Sequence, residues 1–379
     1  MNLELLRNVC VTPGAPGFED RIRDLIIQEV APLADAIRVD NIGNVIAMVE
    51  GENPEKTIMS AAHMDEIGFI VRHIDDNGFI KFLPLGGFDP KTLTAQRVIV
   101  HGTKDLLGVM GVKPIHVMTA AERSKMPEVT DFYIDLGMKK EEVEKYVSIG
   151  DSVTRERDLV EMGNCVNVKS LDNRAGVYVL IETLRALKEA KKRPAYNFAA
   201  VFTVQEEVGL RGAQVSTLEV QPDFSIALDI TIAFDTPGAA SHEYVSKLGE
   251  GAAIKLYDGS VICDRRMVSF MKSVAKNRDI KWQTEMLPAG GTDAGAMQKF
   301  VPGGSIAGAI SIPTRNVHQV IEMADKDDLD ACVDLLTNCV LDMADWDWSW
   351  GAVNEAPKKA DKKVAKKSEK AKSPKSKKK

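Results

Sequence analysis

Between Ile67 and Cys165 the chain consists of short β-type runs, IGFIVRHID, GFIKFLPL, RVIVHG, LLGVMGVKP and SIGDSVT, broken by Gly and Pro. Helical periodicity is confined there to a turn or two near Lys139 to Tyr146. Strands this short bury their apolar side chains only by pairing with one another, so the stretch predicts a small β-domain inserted into a larger one. The flanks have a different rhythm. Helices are predicted at Leu3 to Cys10 and Asp20 to Val30, and strands at Asn44 to Val49 and Thr57 to Ala62. Beyond the β-stretch, Arg174 to Ala190 carries Val177, Leu180, Ile181, Leu184 and Leu187 on one helical face. Strands at 198–204 and 224–230, a helix near Arg265 to Lys276, a strand around 303–310 and a helix from Lys326 to Met343 complete the pattern.

Such alternation predicts an α/β fold, a three-layer domain around a mostly parallel mixed sheet. Its residues are 1–66 and 166–350, the insert is 67–165, and 351–379 form a separate tail. Sheets of this kind bind ligands beyond the carboxyl ends of their strands. His63, Gln205-Glu206-Glu207 and Asp229 all fall at predicted strand ends.

Composition narrows the chemistry. At 44% hydrophobic and 27% charged residues the chain is near globular averages. No apolar run approaches the roughly 20 residues that span a bilayer, and the N-terminus lacks a signal-peptide pattern, which predicts a cytoplasmic protein with no membrane partner. The five cysteines, Cys10, Cys165, Cys263, Cys332 and Cys339, are odd in number and contain no CxxC pair, which argues against disulfides and cysteine-held zinc. Any metal must therefore sit on carboxylate and imidazole. The net charge of −6 hides a tail, after Pro357, with twelve lysines against Asp361 and Glu369; the body alone carries −16. So acidic a body argues against nucleic acid as the main ligand, leaving at most nonspecific contact by a tail predicted to be disordered.

The residues that carry chemistry are ambiguous one at a time. His63 is followed two positions later by Asp65, a spacing at which the carboxylate can orient the ring. Asp172 stands at the edge of a predicted helix, where on its own it reads first as an N-cap and only second as a carboxylate bridging two cations. Glu206 and Glu207 are adjacent acids leaving a strand; one can bind a cation while the other contacts a water as general base. Asp229 ends the apolar run SIAL and needs a partner if buried. His318 follows IPTRNV. Together they are the inventory of a dinuclear hydrolytic site: hard oxygens plus imidazoles suit Zn²⁺, Co²⁺ or Mn²⁺, and one carboxylate can bridge two ions about 3.5 to 4 Å apart. His73, His101, His116 and His242 are weaker candidates.

In order along the chain, AAHMDEIGF, SLDNRAG, QEEVGLRGA, ALDITIAFDTPG, PAGGTDAGAMQ and SIPTRNVHQ resemble the tetrahedral (TET), glutamyl-aminopeptidase-type metallopeptidases. The likeness runs from about Leu3 to Met343. It implies a catalytic α/β domain with an inserted β-barrel for dimerisation, dimers assembling into a twelve-subunit tetrahedron, peptide substrates, and two divalent ions per subunit. Zinc is the first candidate, with cobalt or manganese as alternatives. On matching positions it implies one ion on His63 and Asp229, the other on Glu207 and His318, and Asp172 bridging. Glu206 matches the general base, Asp65 the residue orienting His63, and Gly290, Gly291, Thr292 and Asp293 a segment near the substrate. Asn173 stands where an acid is common, Asn316 where an aromatic is common, and Gln319-Val320 replace a small residue and Pro.

The expected reaction is removal of a peptide's N-terminal residue by attack of a metal-bridging water, with Glu206 carrying its proton to the leaving amine. Alternatives on the same site are carboxypeptidase and N-acyl amino-acid deacylase activity. A glycan hydrolase needs two carboxylates flanking a sugar and no metal. A non-enzymatic scaffold would lack a ligand or the base, and all are present.

Overall fold

Three central strands run side by side in register, and that alignment makes the site. His63, the last residue of Asn53–His63, pairs with Thr203, the last of Tyr196–Thr203. On the other side Ala61 pairs with Ala227 of Phe224–Ile232, which sets Asp229 level with His63. All three run parallel, as does the next strand, Ile306–Arg315.

These four are the centre of an eleven-stranded sheet in the computed structural model, which describes residues 1–351. Outward from Tyr196–Thr203 lie Val45–Val49 and Ala36–Val39; outward from Ile306–Arg315 lie Glu322–Asp325, Cys165–Val168 and Val160–Met162. Both flanks are antiparallel. Ala252–Tyr257 also joins Ile306–Arg315 and carries Trp282–Met286. Parallel pairing thus joins the four central strands and, off to the side, Ala252–Tyr257 with Trp282–Met286. The central strands are covered on both faces, and Phe224–Ile232 is buried along its length except at Ile232.

Helices Leu3–Val11, Leu171–Ala190 and Lys326–Asp342 form one layer, with Leu171–Ala190 lying over the central strands. Arg211–Val220 and Ala294–Lys299 pack together on the other. The apolar stripe read from the sequence is fully used: Val177, Leu180, Ile181, Leu184 and Leu187 are all buried.

The β-stretch closes into a six-stranded barrel of Gly68–Ile74, Ile80–Leu85, Arg97–His101, Asp105–Gly111, Tyr133–Asp135 and Ser152–Arg155. Its core includes Phe69, Phe82, Val98, Val100, Ile134 and Val153. Asp105–Gly111 alternates, with Leu106 and Met110 inward and Leu107 and Val109 exposed. The barrel strands stop at Arg155, short of the insert boundary of 165 expected from the sequence, because Val160–Met162 and Cys165–Val168 pair within the large sheet.

Met1–Trp346 form one compact unit and Asp347 begins a second. The lysine-rich tail beyond Gly351 lies outside the described residues. All five cysteines are free, and among the described residues no helix is long and apolar enough to cross a membrane.

Candidate metal centre

Asp172 stands between two imidazoles. Its Oδ1 is 3.2 Å from His63 Nε2 and its Oδ2 is 3.1 Å from His318 Nε2. His63 Nε2 also lies 3.7 Å from Asp229 Oδ1 and 3.8 Å from Glu206 Oε2, while His318 Nε2 lies 3.7 Å from Glu207 Oε1. Donor atoms of His63, Glu206 and Asp229, and those of His63, Asp172 and Glu207, fall within 4.8 Å of one another.

Local structure explains each position. Leu171–Ala190 is interrupted at Asp172 and Asn173, whose dihedrals are non-helical and whose shared peptide bond is cis. The cap is made by Asn173: its Oδ1 accepts from Gly176 N at 3.0 Å and its Nδ2 donates to Leu228 O at 2.8 Å. Asp172 is thereby free to face the imidazoles. An ionised acid at position 173 could not make the second bond, since a carboxylate has no proton to donate. Just upstream, Lys169 Nζ and Ser170 Oγ donate to the buried Glu66 carboxylate at 2.6 and 2.5 Å.

Glu206 and Glu207 leave the sheet after Gln205, which has φ 54°. Asp65 receives both amides, its Oδ1 from Glu206 N at 3.0 Å and its Oδ2 from Glu207 N at 3.1 Å. That clamp sends one side chain toward His63 and the next toward His318. His63 Nδ1 lies 3.1 Å from the main-chain oxygen of Asp65 and 3.5 Å from its Oδ1, so Asp65 orients the ring mainly through its carbonyl. His318 Nδ1 donates to Gly87 O at 2.9 Å. A carbonyl only accepts, so both rings carry a proton on Nδ1 and turn Nε2 toward carboxylates.

The charge balance is unusual. Burial drives the carboxyls of Glu206 and Asp229 well above their ordinary range; His63 opposes this, and neighbouring carboxylates add to it. Burial, then Asp172, pushes Glu207 up to about 8. Burial brings Asp293 to about 6. Asp172 is the exception: burial is outweighed by its bonds with His318 and His63, and its carboxyl stays well below the usual range. Burial also opposes protonation of His318, but Asp172 and then Glu207 raise it to about 9. More buried carboxylate surrounds these rings than the nearby cations neutralise, and Glu207 Oε1 is buried without a hydrogen-bond partner. Divalent cations fit this donor set by charge, by hardness and by the two Nε2 atoms turned toward the carboxylates.

A cavity of about 820 Å³ opens over the group, lined by Asp172, Glu206, Glu207, Asp229 and His318 together with Gly290, Gly291 and Thr292. Asp293 lies beneath it, 2% exposed, accepting from Thr203 Oγ1 at 2.6 Å. His73, His101, His116 and His242 are absent from the lining. Sequence reasoning missed Gly87 and Phe88, which belong to the β-stretch, and Lys255, which is buried against Glu285 and Asp258. It also missed Glu322. A lysine inside GAAIKLY was the one available signal, since a buried cation needs a partner.

The sequence pattern of the family described as M42 glutamyl aminopeptidase matches residues 43–335. The chain is 34% identical over 341 residues to the lysyl aminopeptidase of Pyrococcus furiosus, covering 88% of this chain and 94% of that one. The aminopeptidase APDkam598 of the archaeon Desulfurococcus kamchatkensis superposes with a TM-score of 0.85 at 36% identity, over 89% and 94% of the two chains. The TET1 peptidase of Pyrococcus horikoshii, described as assembling into a tetrahedron or a large octahedral shell, gives 0.80 at 32% identity over 89% and 99%. With the pattern matched across most of its length, the chain belongs to the M42 glutamyl aminopeptidase family.

Proposed function

We propose that this metal-dependent aminopeptidase holds two divalent cations, one on His63 and Asp229 and the other on Glu207 and His318, with Asp172 bridging them. The observation that carries the reading is the Asp172 carboxylate, which offers one oxygen to each imidazole. Zinc is the first candidate, and cobalt or manganese suit the same donors. Bound there, the ions would polarise the scissile carbonyl and lower the pKa of a water.

The chain's own residues do the rest. A free terminal amine offers a lone pair that an acylated terminus lacks, which favours peptides with a free N-terminus over acylated ones. Glu206, within reach of the same atoms yet outside the proposed ligand set, takes the proton of the attacking water and returns it to the leaving amine. Asp65 keeps Glu206 and Glu207 pointing apart, and Gly290, Gly291 and Thr292 border the peptide, with Asp293 packed below.

The barrel, whose strands run from Gly68 to Arg155, is the proposed dimerisation domain, inserted in a catalytic body that takes in Val160–Met162 and Cys165–Val168. Exposed Leu83, Leu107, Val109, Ile115, Val117 and Met126 support a partner there. The tetrahedral assembly described for the Pyrococcus horikoshii relative supports a dodecamer, and a cytoplasmic location completes the proposal.

The test is a set of aminoacyl-peptides and their N-acetylated counterparts, assayed before chelation, after it, and after returning each metal. Release of the free N-terminal residue, abolished by chelation and restored by metal, is expected. Full activity in the chelated protein, or equal cleavage of acetylated peptides, would refute the proposal.

A further inference from the structure

The two segments that bring Asp172 and His318 together come from opposite sides of one strand. Glu322 opens Glu322–Asp325, which pairs with Cys165–Val168 leading to Asp172 and with Ile306–Arg315 leading to His318. Its side chain is 1% exposed and both oxygens are engaged: Oε1 accepts from His318 N at 2.8 Å, Oε2 from Asp172 N at 3.0 Å. The N–H groups belong to the two residues whose side chains meet in the cavity, so one carboxylate fixes the separation of both.

A second hold comes from the barrel. Arg155, the last residue of its last strand and 3% exposed, donates from one guanidinium nitrogen to His318 O at 2.9 Å. Its Cζ lies 5.5 Å from the Phe88 ring centroid, next to Gly87, which receives His318 Nδ1. Burial opposes both charges, lowering Arg155 and raising the Glu322 carboxyl, and each partly offsets this by favouring the other's charged form. The loop they grip needs gripping, because Asn316 and His318 both adopt left-handed backbone, with φ of 58° and 64°.

We propose that Glu322 and Arg155 are positioning residues for the metal centre: Glu322 sets the spacing of Asp172 and His318, and Arg155 lets the barrel fix His318. The proposal rests on the ligand assignment above. It makes the inserted barrel part of the site's construction.

The experiment is titration of the metal-free protein with Co²⁺, followed by calorimetry and by visible absorption, on the full chain and three variants. Arg155→Lys keeps a buried cation but shortens its reach to His318 O; the weaker Co²⁺ step is expected to lose affinity about 10- to 100-fold while the tighter step holds. Glu322→Gln keeps the volume and one acceptor but turns an amide N–H toward a backbone N–H; because Asp172 faces both rings, both steps are expected to weaken and the visible band to shift. His318→Ala is the control. If it still binds Co²⁺ as the parent does, the ligand assignment falls. If it loses one ion while either folded variant titrates like the parent, the positioning roles alone are overturned. Equal weakening of both steps in Arg155→Lys would overturn the barrel's specific hold on His318.

Discussion

His63 and His318 face the same carboxylate from unlike surroundings. His63 is 2% exposed and ends a central strand, so the register of three parallel strands sets its height and Asp65, two residues on, sets its ring. The His318 side chain is 36% exposed and sits in a loop with left-handed backbone, held by Gly87 and Arg155 from the barrel and by Glu322. Secondary structure alone builds the first half of the centre. The second half is assembled from contacts between residues far apart in sequence. The proposed ion on His63 and Asp229 should therefore be the tighter of the two.

Removing the base separates chemistry from both halves. Glu206→Gln is expected to lower kcat by about 10²- to 10⁴-fold with metal content unchanged; near-normal turnover, measured on a dipeptide with elemental analysis alongside, would remove Glu206 from its role. Deleting the shared carboxylate should erase the contrast between the two histidines. Asp172→Ala is expected to weaken both ions, whereas Glu207→Ala should weaken only the one on the His318 side, as read by metal stoichiometry after dialysis.

A barrel-core substitution tests whether the second half depends on the insert. Phe69 packs edge-on to Phe82 and stacks on Phe88 beside Gly87. Phe69→Ala should cost about 3 to 5 kcal/mol of stability by denaturant titration, and in the folded fraction it should loosen the His318-side ion first. Unchanged affinity there would separate barrel packing from the site. The smallest effect belongs to the tail: ending the chain at Pro357 should leave turnover of short peptides within experimental error.

How much of this the sequence revealed follows the same division. The helix expected at Asp20 to Val30 is present with those bounds, and the stripe through Leu187 is buried, because apolar periodicity is a local signal. The strand-end position of His63 was legible for the same reason, whereas the strand expected to close at Asp229 runs on to Ile232. The short strands Glu322–Asp325 and Trp282–Met286 and the helix Arg211–Val220 were not, since few residues and mixed polarity give no clear period. Asp172 read by itself first as a cap, whereas it is Asn173 that accepts the Gly176 amide. The contacts that orient His318 span 163 and 231 positions, and no spacing rule reaches across such distances.

The most direct test of the two-cation centre is metal analysis of the purified full chain, paired with calorimetric titration of the metal-free form. The account predicts two divalent ions per chain, bound in two steps of unequal affinity. A single ion, or none in a fully active protein, would contradict it.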